Sequence, residues 1–557
     1  MKKRILEYSP IILIIILVLF HRLATIPNTR SLPSDSGNIA SFVEGLNSSE
    51  NIFEKDEILY DKKMYNWYTP AYIFLIKSLS GLFGGNYYLA FWSQIDILMF
   101  LFLMGCYLFG RDFIGGTRYG ILFMLMNLIF IKIPMLGGWA IPHTAPRPTV
   151  LFISLLPLVL WGVWKYRGSK RGRYFMIFIL GLTFYIHPVS APYWILSIWF
   201  SLWFLNDTDI KLKEKVISQV KYLLILLFTM LPYIIIYTNR YIDMDDGNLS
   251  FQKLMEIFHF RINRSYFKLF GFPLAIWENF PIFLQILTIL SIIIILFFVL
   301  KKKKEIKHLI LFIWFISLII VGSVLPFLDQ KITSLFKRFP YEIDLARNYI
   351  FLPFLVYIIF FLFIKKLEEG IKDKKILYNI VSNLVIIFIA ILMITIYIPK
   401  TIIPVVNNWI EGKFYEKPKQ NYSDVGTKLI KENTSIGDAI FHFPGRWACL
   451  YVRYQAKRSL VYSFKDGCVF LYSGNNKKLV SWYHRAQETG RLIEVLGRVK
   501  SKDVPEKICN RMVLLAKKNK ADYLLISEKY RYKFFHFKEL QTFKYKGQVL
   551  VNLVKKD

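Results

Sequence analysis

A series of apolar runs, each about as long as a membrane-spanning helix, most restricts what this chain of 557 residues can fold into. The clearest run is "FPIFLQILTILSIIIILFFVL" (280–300), and "YSPIILIIILVLF" (8–20) begins the series. A helix needs about 20 predominantly apolar residues to cross the hydrocarbon layer. The first run lacks a small-residue cleavage site, which indicates a retained helix rather than a signal peptide. The pattern predicts an α-helical polytopic membrane protein.

Charge in the loops supports a specific topology, because Lys and Arg in short loops mark the cytoplasmic side. We predict eleven spans, at 8–26, 87–109, 119–136, 149–164, 174–187, 189–205, 218–238, 280–300, 308–327, 348–364 and 376–398. Alternate loops are then basic, at 110–118, 165–173, 211–215, 301–307 and 365–375. This pattern predicts that the N-terminus is cytoplasmic. We expect the chain to lie in the plasma membrane.

One apolar run, "TPAYIFLIKSLSGLFGG" (69–85), is short and contains Lys77. Counting it as a span would place every later basic loop outside the cell. We therefore predict an interfacial helix that lies in the membrane surface, within a first extracytoplasmic loop at 27–86. An odd number of spans then places the C-terminal tail outside as well.

The tail differs in character from the transmembrane part, 1–398. Short strands are predicted at 437–444, 520–527 and 547–554, and helices at 423–433, 479–497 and 504–519. This alternation indicates a small extracytoplasmic α/β domain over 399–557.

The formal net charge of +33 follows from the basic loops and the basic tail, so nucleic acid is not an expected partner. The four cysteines include no CxxC pair, which argues against a zinc site. The sequence leaves open whether two of the three tail cysteines form a disulfide.

Asp35 is the first candidate for chemistry. It follows the first span closely, within "RSLPSDSGNIASFVEGL" (30–46), and it precedes a helix-like stretch. One interpretation is an N-cap, in which the carboxylate accepts from free backbone N–H groups. The other is a catalytic base, or a carboxylate that polarises an amide or a hydroxyl.

With Asp35 and "WYTPAYIFLIKSL" (67–79), the sequence resembles the GT-C type of polytopic glycosyltransferase. In that superfamily an acidic residue lies in the first extracytoplasmic loop, and a Pro-containing aromatic segment leads through a surface helix into the second span. The resemblance covers the first ~110 residues by motif and the whole chain by architecture. The tail segments 447–467 and 481–485 also resemble those of uncharacterised membrane proteins of this type.

The resemblance implies a glycosyltransferase, here a hexosyl or pentosyl transferase. Its donor would be a sugar on a polyprenyl phosphate in the membrane, and its acceptor an extracytoplasmic glycan, lipid or protein. An inverting transfer needs a base near the acceptor and cations near the leaving phosphate. Asp35 is the candidate base. Cationic candidates for binding the donor phosphate or substrate lie at predicted outer membrane boundaries or in the surface helix: His143, Arg147, His187, Arg347 and Lys77.

Three of the candidate cations also have a simpler interpretation. Arg147 and Arg347 could extend their charges to lipid head groups, and His187 could be a hydrogen-bonded turn residue. The resemblance also admits a divalent cation, Mg²⁺ or Mn²⁺, as a cofactor. The acidic segment "DMDDGN" (243–248) could hold one, although it fails the EF-hand pattern and is more typical of a polar turn. No metal ligands are assigned.

Besides a purely structural membrane scaffold, two other classes of membrane protein remain as alternatives. A transporter or flippase for lipid-linked glycans would be expected to carry inverted repeats and ionisable residues at mid-membrane. A polymerase or ligase of surface glycans would be expected to have a large loop between late spans, whereas here the soluble mass follows the last span.

Overall fold

The computed structural model describes most of the chain. The described residues are 2–24, 32, 34–129, 131–133, 137–140, 147–205, 212–242, 250–261, 269, 271–300, 305–336, 345–410, 422–445, 447–498, 503–527, 531–532, 540–546 and 548–554.

Helices dominate the described residues. In chain order they are α1 (Lys2–Ala24), α2 (Ser34–Asn47), α3 (Pro70–Leu82), α4 (Tyr87–Trp92), α5 (Gln94–Phe109), α6 (Thr117–Leu128), α7 (Pro148–Lys165), α8 (Lys170–Ile186), α9 (Ala191–Leu205), α10 (Leu212–Ile242), α11 (Phe251–Arg261), α12 (Gly271–Glu278), α13 (Ile282–Leu300), α14 (Ile306–Ile319), α15 (Leu325–Leu335), α16 (Leu352–Gly370), α17 (Lys375–Leu392), α18 (Ile403–Ile410), α19 (Tyr422–Asn433), α20 (Tyr451–Tyr454), α21 (Asp466–Ser473), α22 (Asn476–Gly497) and α23 (Glu506–Lys518). The strands are β1 (Ile131–Ile133), β2 (Gly137–Trp139), β3 (Ala439–His442), β4 (Ser459–Leu460), β5 (Asp503–Val504), β6 (Tyr523–Ser527), β7 (Arg531–Tyr532), β8 (Thr542–Tyr545) and β9 (Gln548–Asn552). Short 3₁₀ or π segments are Glu50–Phe53, Lys62–Trp67, Gly110–Gly115, Ile320–Val324, Leu345–Phe351, Met393–Ile402 and Trp447–Leu450.

The chain forms two compact units. The membrane unit comprises Met1–Ile26, Ser93–Ile234 and Ile262–Tyr415, and the loop–tail unit comprises Pro27–Trp92, Ile235–Arg261 and Glu416–Asp557. The first loop thus belongs to the same unit as the C-terminal tail.

Seven helices among the described residues are long and apolar enough to cross a membrane, and the chain is a multi-pass membrane protein. They are Tyr87–Gly115, Pro148–Lys165, Leu212–Ile236, Ile282–Leu300, Ile306–Leu335, Leu345–Gly370 and Lys375–Pro399. The other four predicted spans correspond to α1, α6, α8 and α9, which are helical but have shorter apolar stretches.

One predicted span, 119–136, ends early. Helix α6 stops at Leu128, and β1 and β2 then form an antiparallel hairpin. Trp139 of the hairpin is fully buried, and its indole N–H donates to Asn127 Oδ1 (2.9 Å). The sequence stays apolar beyond the end of α6 because the hairpin that follows is also buried.

Segments in or next to four of the five predicted basic loops lie close together in the membrane unit. The ring of Phe113 meets that of Trp164 (4.8 Å), and Lys307 Nζ lies 5.5 Å from the Trp164 ring. Lys365 Nζ donates to the Ile114 carbonyl (2.9 Å). Four segments that the charge pattern assigns to one side of the membrane thus meet in space.

The loop–tail unit contains a five-stranded sheet of order β4-β3-β6-β9-β8. Strands β3, β4 and β6 are parallel, and β9 runs antiparallel to β6 and β8. The core of the sheet is apolar, with Ile440, Leu524 and Leu550 fully buried. All six strands and helices predicted for the tail are present, and the predicted α/β character is confirmed.

Candidate functional site

Asp35 lies in the first turn of α2, one residue after the helix begins at Ser34. A carboxylate near a helix N-terminus interacts favourably with the helix dipole, but Asp35 is inside the helix rather than at its N-cap. Gly37 permits a close approach here, because a Cβ at that position would come within 3.3 Å of Leu450 in the tail.

Two side chains hold the Asp35 carboxylate. The Tyr68 hydroxyl donates to Asp35 Oδ1 (2.9 Å), and the Lys465 ammonium forms an ion pair with the same oxygen. The carboxylate stays partly open, with a side-chain exposure of 20% against 10% for Lys465. Burial and the neighbouring Asp35 raise the pKa of Tyr68 well above its usual range, so the phenol keeps the proton that it donates.

Lys465 is positioned by a network in the tail. Its backbone N–H donates to Ser463 Oγ (3.1 Å), and the backbone N–H of Ser463 donates to Asp466 Oδ2 (3.0 Å). Asp466 in turn accepts from Arg453 (2.7 and 3.0 Å). The backbone of Lys465 is thus held in a hydrogen-bonded turn.

Arg453 is the centre of a buried charge cluster. Its guanidinium donates to Asp56 of the first loop (2.6 and 3.0 Å) and to Asp466. Arg453 and Asp56 are 1% and 0% exposed. Burial acts to lower the pKa of Arg453, but the Asp466 and Asp56 carboxylates outweigh it and raise that pKa. The cluster ties the first loop to the tail through a fully charged arginine.

Further polar contacts lie within the Pro27–Trp92 part of the unit and between that part and the tail. Glu44 Oε2 accepts from the Tyr87 hydroxyl (2.6 Å), and Glu44 Oε1 pairs with Lys457 (2.9 Å). Arg485 pairs with Glu57. The first loop and the tail therefore form one packed body around Asp35.

Within the membrane unit, the segments that carry Arg147, His187 and Arg347 lie side by side. Thr149 Oγ1 hydrogen-bonds with His187 Nε2 (3.0 Å), and Asn348 Nδ2 donates to the Val189 carbonyl (3.1 Å). These contacts place the start of α7, the 187–190 turn and the 345–351 segment at one end of the unit. The other ring nitrogen of His187 meets Ser190 Oγ (2.8 Å), as expected of a hydrogen-bonded turn residue.

The remaining predicted cations are distributed as follows. Lys77 is half-buried on α3, in the same unit as Asp35, whereas the ammonium that contacts Asp35 is that of Lys465. His143 lies outside the described residues. Arg147, His187 and Arg347 belong to the membrane unit and Asp35 to the loop–tail unit.

The described residues contain no cluster of candidate metal ligands. No three His, Cys, Asp or Glu side chains among them come together in a way that could hold a metal ion. A tyrosine hydroxyl and an ammonium contact Asp35, and an ammonium cannot be a metal ligand. The acidic segment 243–248 lies outside the described residues.

Sequence reasoning missed Lys465, Tyr68 and the Arg453 cluster. Lys465 lies in "KRSLVYSFKDG" (457–467), which mixes cations with aromatic residues, and Tyr68 lies in the aromatic segment before α3. Both were in segments with a visible signal, but their contacts with Asp35 join residues far apart in the chain.

The chain shares its fold with a solved oligosaccharyltransferase, in line with the fold that the GT-C resemblance implies. The structure is similar to the archaeal oligosaccharyltransferase AglB from Archaeoglobus fulgidus, solved with an inhibitory peptide and a dolichol-phosphate. The TM-score is 0.52 at 11% identity, over 94% of this chain and 70% of that chain. At this identity the likeness shows the fold alone. No family model matches the chain, and no curated protein matches it by sequence.

Two further structures of the Archaeoglobus fulgidus oligosaccharyltransferase align with the chain at lower scores. The apo form has a TM-score of 0.46 at 10% identity, over 94% of this chain and 70% of that chain. The complex with Zn and sulfate has 0.44 at 12% identity, over 93% and 68%.

Proposed function

We propose that this chain is a membrane glycosyltransferase that moves a sugar from a polyprenyl-phosphate donor to an extracytoplasmic glycan, lipid or protein. The observation that carries the proposal is the Asp35 carboxylate, in a GT-C fold, held by Tyr68 and by Lys465 of the tail while it remains partly open. The AglB structure that shares the fold was solved with a peptide and a dolichol-phosphate, which are ligands of the acceptor and donor kinds.

In the proposed reaction the acceptor O–H or N–H faces Asp35. The acceptor atom forms a bond to the anomeric carbon of the sugar while the bond from that carbon to the phosphate oxygen breaks. The acceptor proton passes to the Asp35 carboxylate, and polyprenyl phosphate leaves with the electron pair. Tyr68 and Lys465 fix the orientation of the carboxylate, because both contact its Oδ1 atom.

The leaving phosphate needs cations, and Arg147 and Arg347 are our candidates because their segments lie together at one end of the membrane unit. Arginine suits this role, since its planar guanidinium can bind phosphate oxygens bidentately. Binding roles for Lys77, His143 and His187 stay predictions. A requirement for Mg²⁺ or Mn²⁺ also stays a prediction, and no step of the proposed reaction passes through a metal.

The proposed location is the plasma membrane, with the N-terminus in the cytoplasm and both the first loop and the tail outside. Shared packing of these two segments supports one compartment for both. Cysteines introduced at Tyr60 (63% exposed) and Ile436 (68% exposed) should react with a membrane-impermeant maleimide in intact cells. A cysteine at the exposed Lys170, in a basic loop, should react only after lysis; the opposite result would invert the topology.

The function is tested with Asp35→Asn, assayed for transfer from a radiolabelled polyprenyl-phosphate sugar pool. A general base contributes about 10²–10⁴-fold, so transfer should fall at least about 100-fold. The matched control is Glu54→Gln, an exposed carboxylate of the same loop, which should transfer normally. Normal transfer by a well-expressed Asp35→Asn variant would remove Asp35 from the mechanism.

A further inference from the structure

A second group of charged residues surrounds Trp164, near the end of α7 in the membrane unit. The Arg167 guanidinium lies 3.8 Å from the centroid of the Trp164 ring. Lys307 Nζ lies 5.5 Å from the same ring and 5.7 Å from that of Phe113. Lys365 approaches from α16 and donates to the Ile114 carbonyl. Three half-buried cations from three different parts of the chain therefore meet beside two aromatic rings.

These cations are poorly neutralised by the protein. Among the described residues, Arg167 donates to the Trp164 carbonyl (2.6 Å) and forms no ion pair. The nearby carboxylates Glu305 and Glu369 both pair with Lys366, and only Glu369 also reaches Lys365 (3.6 Å). Lys307 is repelled by Lys365 and Arg167 and attracted by Glu305.

We propose that Arg167, Lys307 and Lys365 form a binding site for the phosphate headgroup of an anionic membrane lipid. Basic pockets between transmembrane helices bind such headgroups, and tryptophan is typical of the level at which headgroups lie. A phosphate among the three cations would add to the negative charge of Glu305 and Glu369, both of which already pair with Lys366.

Simple extension of lysines toward water does not account for this geometry. Lysines that extend in this way place their ammonium groups in solvent and apart from one another. Here the three cations are half-buried, and ring faces and backbone carbonyls hold them together. Gathering like charges costs free energy unless an anion is bound, so the arrangement favours a ligand.

The site is tested by native mass spectrometry of the purified, delipidated full-length chain, titrated with phosphatidylglycerol or with phosphatidylcholine. One phosphatidylglycerol should bind more tightly than any phosphatidylcholine. Each basic residue near an anionic headgroup contributes about 1 kcal/mol, so Lys307→Gln and Arg167→Gln should each weaken that binding about fivefold. The control Lys170→Gln removes an exposed charge from the same basic end and should leave the affinity unchanged.

Three results would overturn the proposal. Equal binding of the two lipids would exclude headgroup recognition. Equal losses of lipid affinity in Lys307→Gln and Lys170→Gln would show that the lipid responds only to the overall positive charge of this end of the unit. Displacement of the lipid by millimolar inorganic phosphate would assign the site to a soluble anion. Thermal unfolding of each variant identifies misfolded protein, and the second variant, Arg167→Gln, keeps the test open if Lys307→Gln fails to fold.

Discussion

Replacement of Arg453 should destabilise the loop–tail unit more than replacement of an exposed arginine would. Arg453→Met keeps much of the side-chain stem but leaves Asp56 and Asp466 buried without their cation. Breaking a buried ion pair in this way costs about 3–5 kcal/mol. For a unit of 150–250 residues each kcal/mol lowers Tm by about 2–4 °C, so we expect a decrease of about 6–20 °C.

The loss of stability in Arg453→Met should depend on pH, because a buried carboxylate that has lost its cation can take up a proton. Burial already raises the pKa of Asp466, and Arg453 opposes that effect. Without Arg453 the pKa of Asp466 rises further above its unfolded value. A carboxyl whose folded pKa is raised gains stability as pH falls through that pKa. The deficit of Arg453→Met should therefore be smaller at pH 5 than at pH 8.

The assay is thermal unfolding of the full-length protein in detergent, followed by intrinsic fluorescence at both pH values. Arg491→Met, an exposed arginine on α22, is the matched control and should unfold like the wild type. Arg453→Lys keeps a charge but loses the paired hydrogen bonds, so its Tm should be intermediate. An Arg453→Met protein that unfolds within about 2 °C of wild type at pH 8 would show that the cluster contributes little.

Three other experiments have defined outcomes. Tyr68→Phe removes the hydrogen bond to Asp35, worth about 1 kcal/mol, so sugar transfer should fall about fivefold with Tm maintained; an unchanged rate would mean that Tyr68 does not orient Asp35. Burial lowers the pKa of His442 to about 4. As pH falls from about 6.5 to 4, this histidine therefore takes up a proton in the unfolded chain but not in the folded chain, and the folded state loses stability. His442→Gln should therefore remove up to about 3 kcal/mol of acid-induced loss of stability in that window, and an acid unfolding profile parallel to wild type would contradict this. All four cysteines are buried and lie outside any disulfide, and burial raises the pKa of Cys449 to about 12. Ellman's reagent should therefore detect four thiols only after denaturation; fewer than four would reveal a disulfide.

Much of the fold follows from local sequence signals. Apolar runs long enough for a membrane produce helices wherever no water can satisfy the backbone. The tail elements are likewise predictable, since α23 alternates its buried and exposed residues with helical spacing, as in Ile508, Met512 and Ala516. The end of α6 was not predictable, because a buried hairpin is as apolar as a membrane span.

The partners of Asp35 could not be found from local signals. Lys465 is 430 residues from Asp35 in the chain, and Arg453 is 397 residues from Asp56. Such contacts arise from packing of the first loop against the tail, which no spacing within either segment encodes. The sequence indicated that Asp35 could carry chemistry, but not that its segment meets 457–467 of the tail.

Packing of the first loop with the tail also bears on how many helices cross the membrane. Under the proposed topology both segments lie outside, so the chain between them must cross an even number of times. Among the described residues, all seven long apolar helices lie between these segments, and seven is odd. An odd number of the shorter helices α6, α8 and α9 must then cross as well. If all three cross, ten crossings follow the first loop, and with α1 the total is the eleven that the basic loops predict.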